Sequence, residues 1–338
     1  MIICNYCSSI WAQSITEIGC TGDVVNYTFK DDSLNILYVS CVTYNSDGSN
    51  STSIQKWDGT IWEEIASIIN GEVKSMIKLN GNLIIAGSFI GIDGNIINNI
   101  AEWNDTSWNA LGINGLGNAG CAINSLCMIN GTLLAGGDFG KDPVNNLFKW
   151  NGSSWLPFQQ YVNGKVLSLC NFNDTLYLCG DIEYIDTLKI HGIARYSDSS
   201  WTNLSDCFAG NVFNMITFDG KLYFSGLFGC INDNPSGIIA SYDGSVITGL
   251  GEGVCAFITA MHVFDDKLYI GGEFLDTLGE SAQKIAAWDG AAWREIDFSF
   301  VNISQIMSIS HFGSSIIVAG RIKDENNSVR KIVEYNQE

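Results

Sequence analysis

Three carboxylates fall at equivalent points of the sequence, each one residue after a glycine that ends an apolar run: Asp138, Asp181 and Glu273. Ser88, Leu227 and Arg321 hold the same slot in three further runs. Carboxylates and an arginine in matching places suit a cation, a sugar or a basic peptide. Two carboxylates at a fixed separation also carry out glycoside hydrolysis, one as acid and the other as base or nucleophile. Ordinary rim polarity on an acidic protein is the plainer explanation of the same residues. Which chemistry is open depends on the elements that space them.

Those elements repeat. "KWDGTIW" (56–62) returns as "EWNDTSW" (102–108), "KWNGSSW" (149–155), "RYSDSSW" (195–201) and "AWDGAAW" (287–293). "SYDGSVI" (241–247) and "EYNQE" (334–338) are partial copies. The lead aromatics, Trp57, Trp103, Trp150, Tyr196, Tyr242, Trp288 and Tyr335, follow one another at 46 or 47 residues. Upstream of each lies a run ending in small residues and glycine, such as "LLAGG" (133–137) and "LYIGG" (268–272). The first copy has Cys41 in place of that glycine. Before it comes another apolar run closed by a turn of the Asn-Gly or Asp-Gly kind, where a positive φ costs little.

Each unit therefore reads strand A (73–79 in the second copy), tight turn, strand B (83–89), longer polar loop, strand C (100–104), tight turn, strand D (107–112). Four antiparallel strands per repeat of this length make a propeller blade. Seven units predict an all-β, seven-bladed β-propeller over residues 13–338. Apolar residues on both strand faces fit sheets covered on both sides. The seventh copy stops before its strand D, and "SITEIG" (14–19) carries the missing pattern. Residues 14–18 are expected to pair beside 332–335 and complete the last blade from the N-terminal side.

Composition narrows the function classes. Asp and Glu total 36 against 17 Lys and Arg, a formal charge of −19. Nucleic acids bind mainly through cationic neutralisation of phosphates, so they are not expected partners. Anionic membranes are disfavoured for the same reason. No run reaches the roughly 18 apolar residues that span a bilayer. Residues 1–12, "MIICNYCSSIWA", read as the end of a secretory signal that lacks its basic start. They predict a secreted or cell-surface protein, expected to be a monomer.

Eleven cysteines are present. Cys41, Cys127, Cys170 and Cys179 fall in strands and read as small buried apolar residues. Cys207 and Cys230 bracket one repeat on its loop side and form a candidate disulfide in an oxidising compartment. The Asp- and Asn-rich loops 91–99, 231–237 and 323–328 offer the oxygen ligands calcium prefers, without a calcium-loop motif. His191, His262 and His311 show no metal-binding spacing, and no nucleophile, phosphate or dinucleotide fingerprint occurs. No cofactor is expected.

The glycine-ended strand B, the aromatic that starts a turn and the tryptophan after it resemble kelch repeats of the galactose-oxidase type. The C–D turn is shorter than in kelch repeats. "YIGGEF…IAAWDGAAW" is more similar still to propeller repeats of secreted bacterial proteins and fungal cell-surface polarity markers. That resemblance implies an exported binding or scaffold protein with no fixed ligand. The copper site of galactose oxidase, two His and two Tyr, does not align, so an oxidase is not expected. Function on a repeat scaffold concentrates in its longer loops. The B–C and D–A loops are therefore the expected face for an unidentified protein or glycan partner. A polysaccharide hydrolase or lyase using Asp138, Asp181 and Glu273 is the alternative.

Overall fold

A computed structural model of the chain describes residues 10–11, 22–140, 145–205, 210–228, 230–231, 234–235, 238–250, 256–275, 281–297, 301–324 and 329–336. Every regular element among them is a β-strand, and no helix is long and apolar enough to cross a membrane. The chain divides into two compact units, 68–250 and 1–67 with 251–338.

The first of these units holds blades 2 to 5. Blade 2 is Glu72–Leu79, Asn82–Ser88, Ile100–Trp103 and Trp108–Ala110, against the predicted 73–79, 83–89, 100–104 and 107–112. Blade 3 begins with Ala122–Ile129 and Thr132–Asp138, blade 4 with Val162–Phe172 and Thr175–Ile185, blade 5 with Val212–Phe218 and Lys221–Gly226. Each adds strands C and D in antiparallel order. The other unit holds blade 1 (from Val24–Asp31), blade 6 (from Ala256–Phe264) and blade 7 (Val301–Phe312, Ser315–Asp324, Val329–Asn336).

Blade 7 has three described strands. The predicted closing segment 14–18 lies outside the described residues, as does most of the expected signal segment. Within the latter, Ile10–Trp11 runs parallel to strand D of blade 6 at Ile296 and Asp297.

One irregularity recurs in all seven blades. Strand A carries a β-bulge, between Val73 and Ser75 in blade 2, Ile123 and Ser125 in blade 3, and Ile306 and Ser308 in blade 7. Opposite it stands the strand-ending glycine. A Cβ on Gly87, Gly137, Gly226 or Gly272 would collide with a strand-A carbonyl oxygen, that of Glu72, Ala122, Asn211 or Phe257. The glycine that the sequence repeats is the room the bulge requires. In blade 1 the slot holds Cys41, and the relief lies at Gly22, where a Cβ would sit 3.0 Å from that of Cys41.

The bulge also frees side chains to join neighbouring blades. Ser75 Oγ accepts a hydrogen bond from Leu126 N (3.1 Å), Ser125 Oγ from Leu169 N (3.0 Å) and Ser308 Oγ from Thr28 N (3.1 Å). The last of these links blade 7 to blade 1. Val39 and Cys41 of blade 1 share an apolar cluster with Ile317, Ala319 and Ile332 of blade 7. Ser308→Ala should cost about 1–3 kcal/mol, since it leaves the Thr28 amide buried and unpaired. A chemical-denaturation midpoint equal to wild type would contradict this latch.

The opening motif is a turn device. Asp58 Oδ1 accepts from Thr60 N and Ile61 N, both at 2.8 Å, and Asn104, Asn151, Asp243 and Asp289 repeat the pattern. Backbone donors at Val246 and Ser245 pull the Asp243 carboxyl down to about 2. The flanking rings fill space between blades. Trp57 stacks on Trp62 at 5.9 Å and meets Phe312 of blade 7 at 4.3 Å. The tryptophan pair is thus architecture, with most of its value in burial.

Candidate functional site

The structure places the five rim residues at the B–C/D–A end of their strands. Asp138 and Asp181 come together across blades 3 and 4 through a residue the sequence reading missed. Lys165 Nζ lies 2.9 Å from Asp138 Oδ2, and Lys165 pairs in register with Asp181. The hydrogen bond and charge of Asp138, with a contribution from Asp181, hold the Lys165 ammonium above its ordinary value. The pair is exposed, so its stabilising effect is small. Its chemical effect is larger: Asp138, which looked free for a cation, already holds a lysine, and Asp181 adds to the field at that lysine. Lys165 gave no signal in the sequence, because it opens strand A of the next repeat and does not share the slot.

Ser88 lies half-buried, opposite Glu72 in register. In the other unit Glu273 is exposed opposite Phe257. The Arg321 guanidinium lies 5.3 Å from the Tyr44 ring centroid, a cation–π placement. Cys207 lies outside the described residues and Cys230 occupies a short strand, Cys230–Ile231. Cys41, Cys127, Cys170 and Cys179 are buried, as expected. Burial pushes the Cys127 thiol to about 11 and the Cys170 thiol to about 12, which keeps both protonated and inert.

The Asn-rich loops have a structural use where they are described. Asn99 is buried, and its amide donates to the carbonyls of Leu116 (2.9 Å) and Asn118 (3.2 Å). Asn145 donates to Phe158 O and Gln160 O, and Asn146 to Val162 O. In blades 2 and 3 these amides stitch the B–C loop to the following D–A segment, satisfying backbone that burial would otherwise leave unpaired. Asn99, read as part of a calcium-type loop, is such a stitch.

Two histidines without metal spacing in the sequence meet in space. His262 Nε2 lies 3.0 Å from His311 Nδ1, and His311 Nε2 lies 3.0 Å from Asp32 Oδ1. Phe264 stacks on the His311 ring at 4.3 Å. Burial, then the neighbouring His311, lowers His262 to about 4. This relay joins strand A of blades 6 and 7 to the A–B turn of blade 1. Among the described residues no three His, Cys, Asp or Glu side chains converge as a metal-ligand set.

In the unit 68–250, the turn-bearing end of the blades, opposite the loops, holds a cavity of about 530 Å³ between blades 3 and 4. Ile129, Leu134 and Leu176 lie at its base, and Phe158 and Tyr196 form its wall. The loop face expected from the sequence therefore has a counterpart at the other end of the blades.

No protein-family model and no curated protein matches the chain. Among solved structures it is similar to the β-propeller domain of the Trilobed protease from Pyrococcus furiosus, at 11% identity and TM-score 0.53, over 81% of this chain and 84% of that one. It is also similar to the RRP9 WD40 repeats, at 11% identity and TM-score 0.59, over 98% of this chain and 99% of that one. A third is the Pyrococcus horikoshii acylaminoacyl peptidase, at 12% identity and TM-score 0.53, over 89% of this chain and 50% of that one. The chain matches only half of that peptidase's length. These likenesses establish the β-propeller fold, and the seven blade sheets make it seven-bladed.

Proposed function

We propose that this protein is a non-catalytic, exported binding propeller that docks a protein partner on the B–C/D–A loops. The observation that carries the reading is the exposure of large apolar side chains in those loops. Ile113 is 91% exposed and Ile96 74%, and Leu227 and Tyr184 add to them in the same unit. Exposed apolar residues set among polar ones are typical of protein-docking surfaces. The chain's negative charge favours a basic partner. The kelch-like repeat pattern and the signal-like residues 1–12 support the exported, scaffold character. Of the three carboxylates the hydrolase alternative would draw on, Asp138 is engaged by Lys165.

A photo-activated cross-linker at position 113 or 227 is expected to capture one defined protein from the host's exported proteins. The same group at position 156, at the turn end, should capture none. Ile113→Asp should weaken that complex by about 2 kcal/mol. Equal capture from both ends would reject the reading. So would polysaccharide turnover that Asp181→Asn or Glu273→Gln abolishes.

A further inference from the structure

The cavity between blades 3 and 4 has a cause readable in the repeat. In other gaps the last residue of strand A meets the lead aromatic of the next blade. Phe312 meets Trp57 at 4.3 Å, Phe172 meets Tyr242 at 6.2 Å, and Leu79 shares a cluster with Trp150. Between blades 3 and 4 the pair is Ile129 and Tyr196, an aliphatic residue facing a tyrosine. Phenylalanine is missing on one side and tryptophan on the other, and the space stays open. Phe158 stands edge-on to Tyr196 at 5.0 Å, so two rings line the opening without closing it.

The lining sorts the chemistry of an occupant. An apolar base and two rings would cover the C–H faces of a small molecule. Thr132, Ser197, Lys149, Asp174 and Asp198 also line it, bringing hydroxyl, ammonium and carboxylate side chains, and the Thr175 hydroxyl there donates to Asn173 O. A cation would face Lys149, an anion would face two carboxylates, and a wholly apolar ligand would desolvate all of these groups without pairing them. A neutral sugar uses every part, because each of its hydroxyls both donates and accepts while its ring carbons stack on aromatic faces. About 530 Å³ falls within the usual 300–1,000 Å³ of small-molecule sites.

We propose that the blade 3–4 cavity is a binding site for a neutral monosaccharide or short neutral glycan. It is separate from the protein-docking loops, so either can fail without the other. The probes are the methyl glycosides of glucose, galactose and mannose together with N-acetylglucosamine, followed by saturation-transfer NMR and calorimetry. At least one is expected to bind with saturable, millimolar or tighter affinity. Ile129→Phe, which copies the residue of blades 4 to 7, should fill the cavity and weaken that binding at least about tenfold. Its melting temperature should hold or rise, because the substitution removes a void. Thr132→Val should weaken the same sugar with the fold intact. Absence of binding by all four sugars would overturn the proposal, as would sugar binding undiminished in Ile129→Phe. Arginine methyl ester binding at this site more tightly than any sugar would overturn it as well.

Discussion

Gly272→Ala is expected to destabilise the protein by about 3 kcal/mol, with a matching fall in the urea midpoint. Gly81→Asn should leave the midpoint nearly unchanged. The two glycines serve the repeat for different physical reasons. Gly272 lies in strand B opposite the strand-A bulge between Ile258 and Ala260. A Cβ there collides with the Phe257 carbonyl oxygen and comes within 3.0 Å of the Ile258 Cα. Both obstacles are backbone, so relief requires moving a strand that also faces blade 7 through Thr259, whose Oγ1 donates to Ile306 O at 2.7 Å. Gly81, by contrast, has open space where its Cβ would go and φ +88. Asparagine tolerates that left-handed region, as Asn80 and Asn130 do in these turns. A Gly272→Ala protein that melts like wild type would show that the bulge can relax, and the account of the repeated glycine would fail.

Acid is expected to weaken the fold through the His262–His311–Asp32 relay. His311 Nε2–H donates to Asp32, which leaves His311 Nδ1 to accept from His262 Nε2–H. Both rings are then neutral, and an added proton goes to the remaining ring nitrogen, His262 Nδ1, where burial disfavours the charge. Burial lowers His262 to about 4 and also lowers His311, despite Asp32, which acts in the opposite sense. Lys30, 3.5 Å from Asp32, is the other charge in the group. An unfolded histidine titrates near 6.5. Between pH 6.5 and 4 the unfolded chain therefore binds more protons at this site than the folded one. Stability is fully present above about pH 6.5 and falls as pH drops through that window, by about 3 kcal/mol at its lower end. Carboxylates titrate nearby, so the measurement is the difference between wild type and His262→Phe, which copies Phe29 of blade 1. The variant should lose much less stability than wild type between pH 6.5 and 4. Parallel pH curves would remove the relay from the account.

The architecture was legible because a propeller repeats one solution. Period, strand order and turn position each appear many times over, so a local pattern too weak to read once becomes secure by repetition. The strand-ending glycine was visible as a pattern, while its cause was not. The bulge opposite it shows only when strands A and B are set in register. The tryptophans of "KWDGTIW" were correctly read as structural, and the Asx turn between them explains why Asp or Asn follows the aromatic. The rim slot contains Asp138 and Asp181, but Lys165, the ion-pair partner of Asp138, stands outside it. The Asn-rich loop at 91–99 looked like a ligand source and proved to hold Asn99 as a backbone stitch. A buried amide and a metal-ligating one have the same composition.

What the sequence determined by itself is therefore everything that recurs: the all-β class, the blade count, the hairpins, the anchors between sheets. What only the tertiary structure decided is what happens where blades meet. His311 lies 49 residues from His262 and 279 from Asp32 along the chain. Lys165 joins two repeats, and the cavity exists because Ile129 and Tyr196, each unremarkable in its own blade, face each other across a gap. A repeat specifies its own fold through local periodicity. The chemistry of its junctions depends on pairs of residues that no single repeat contains.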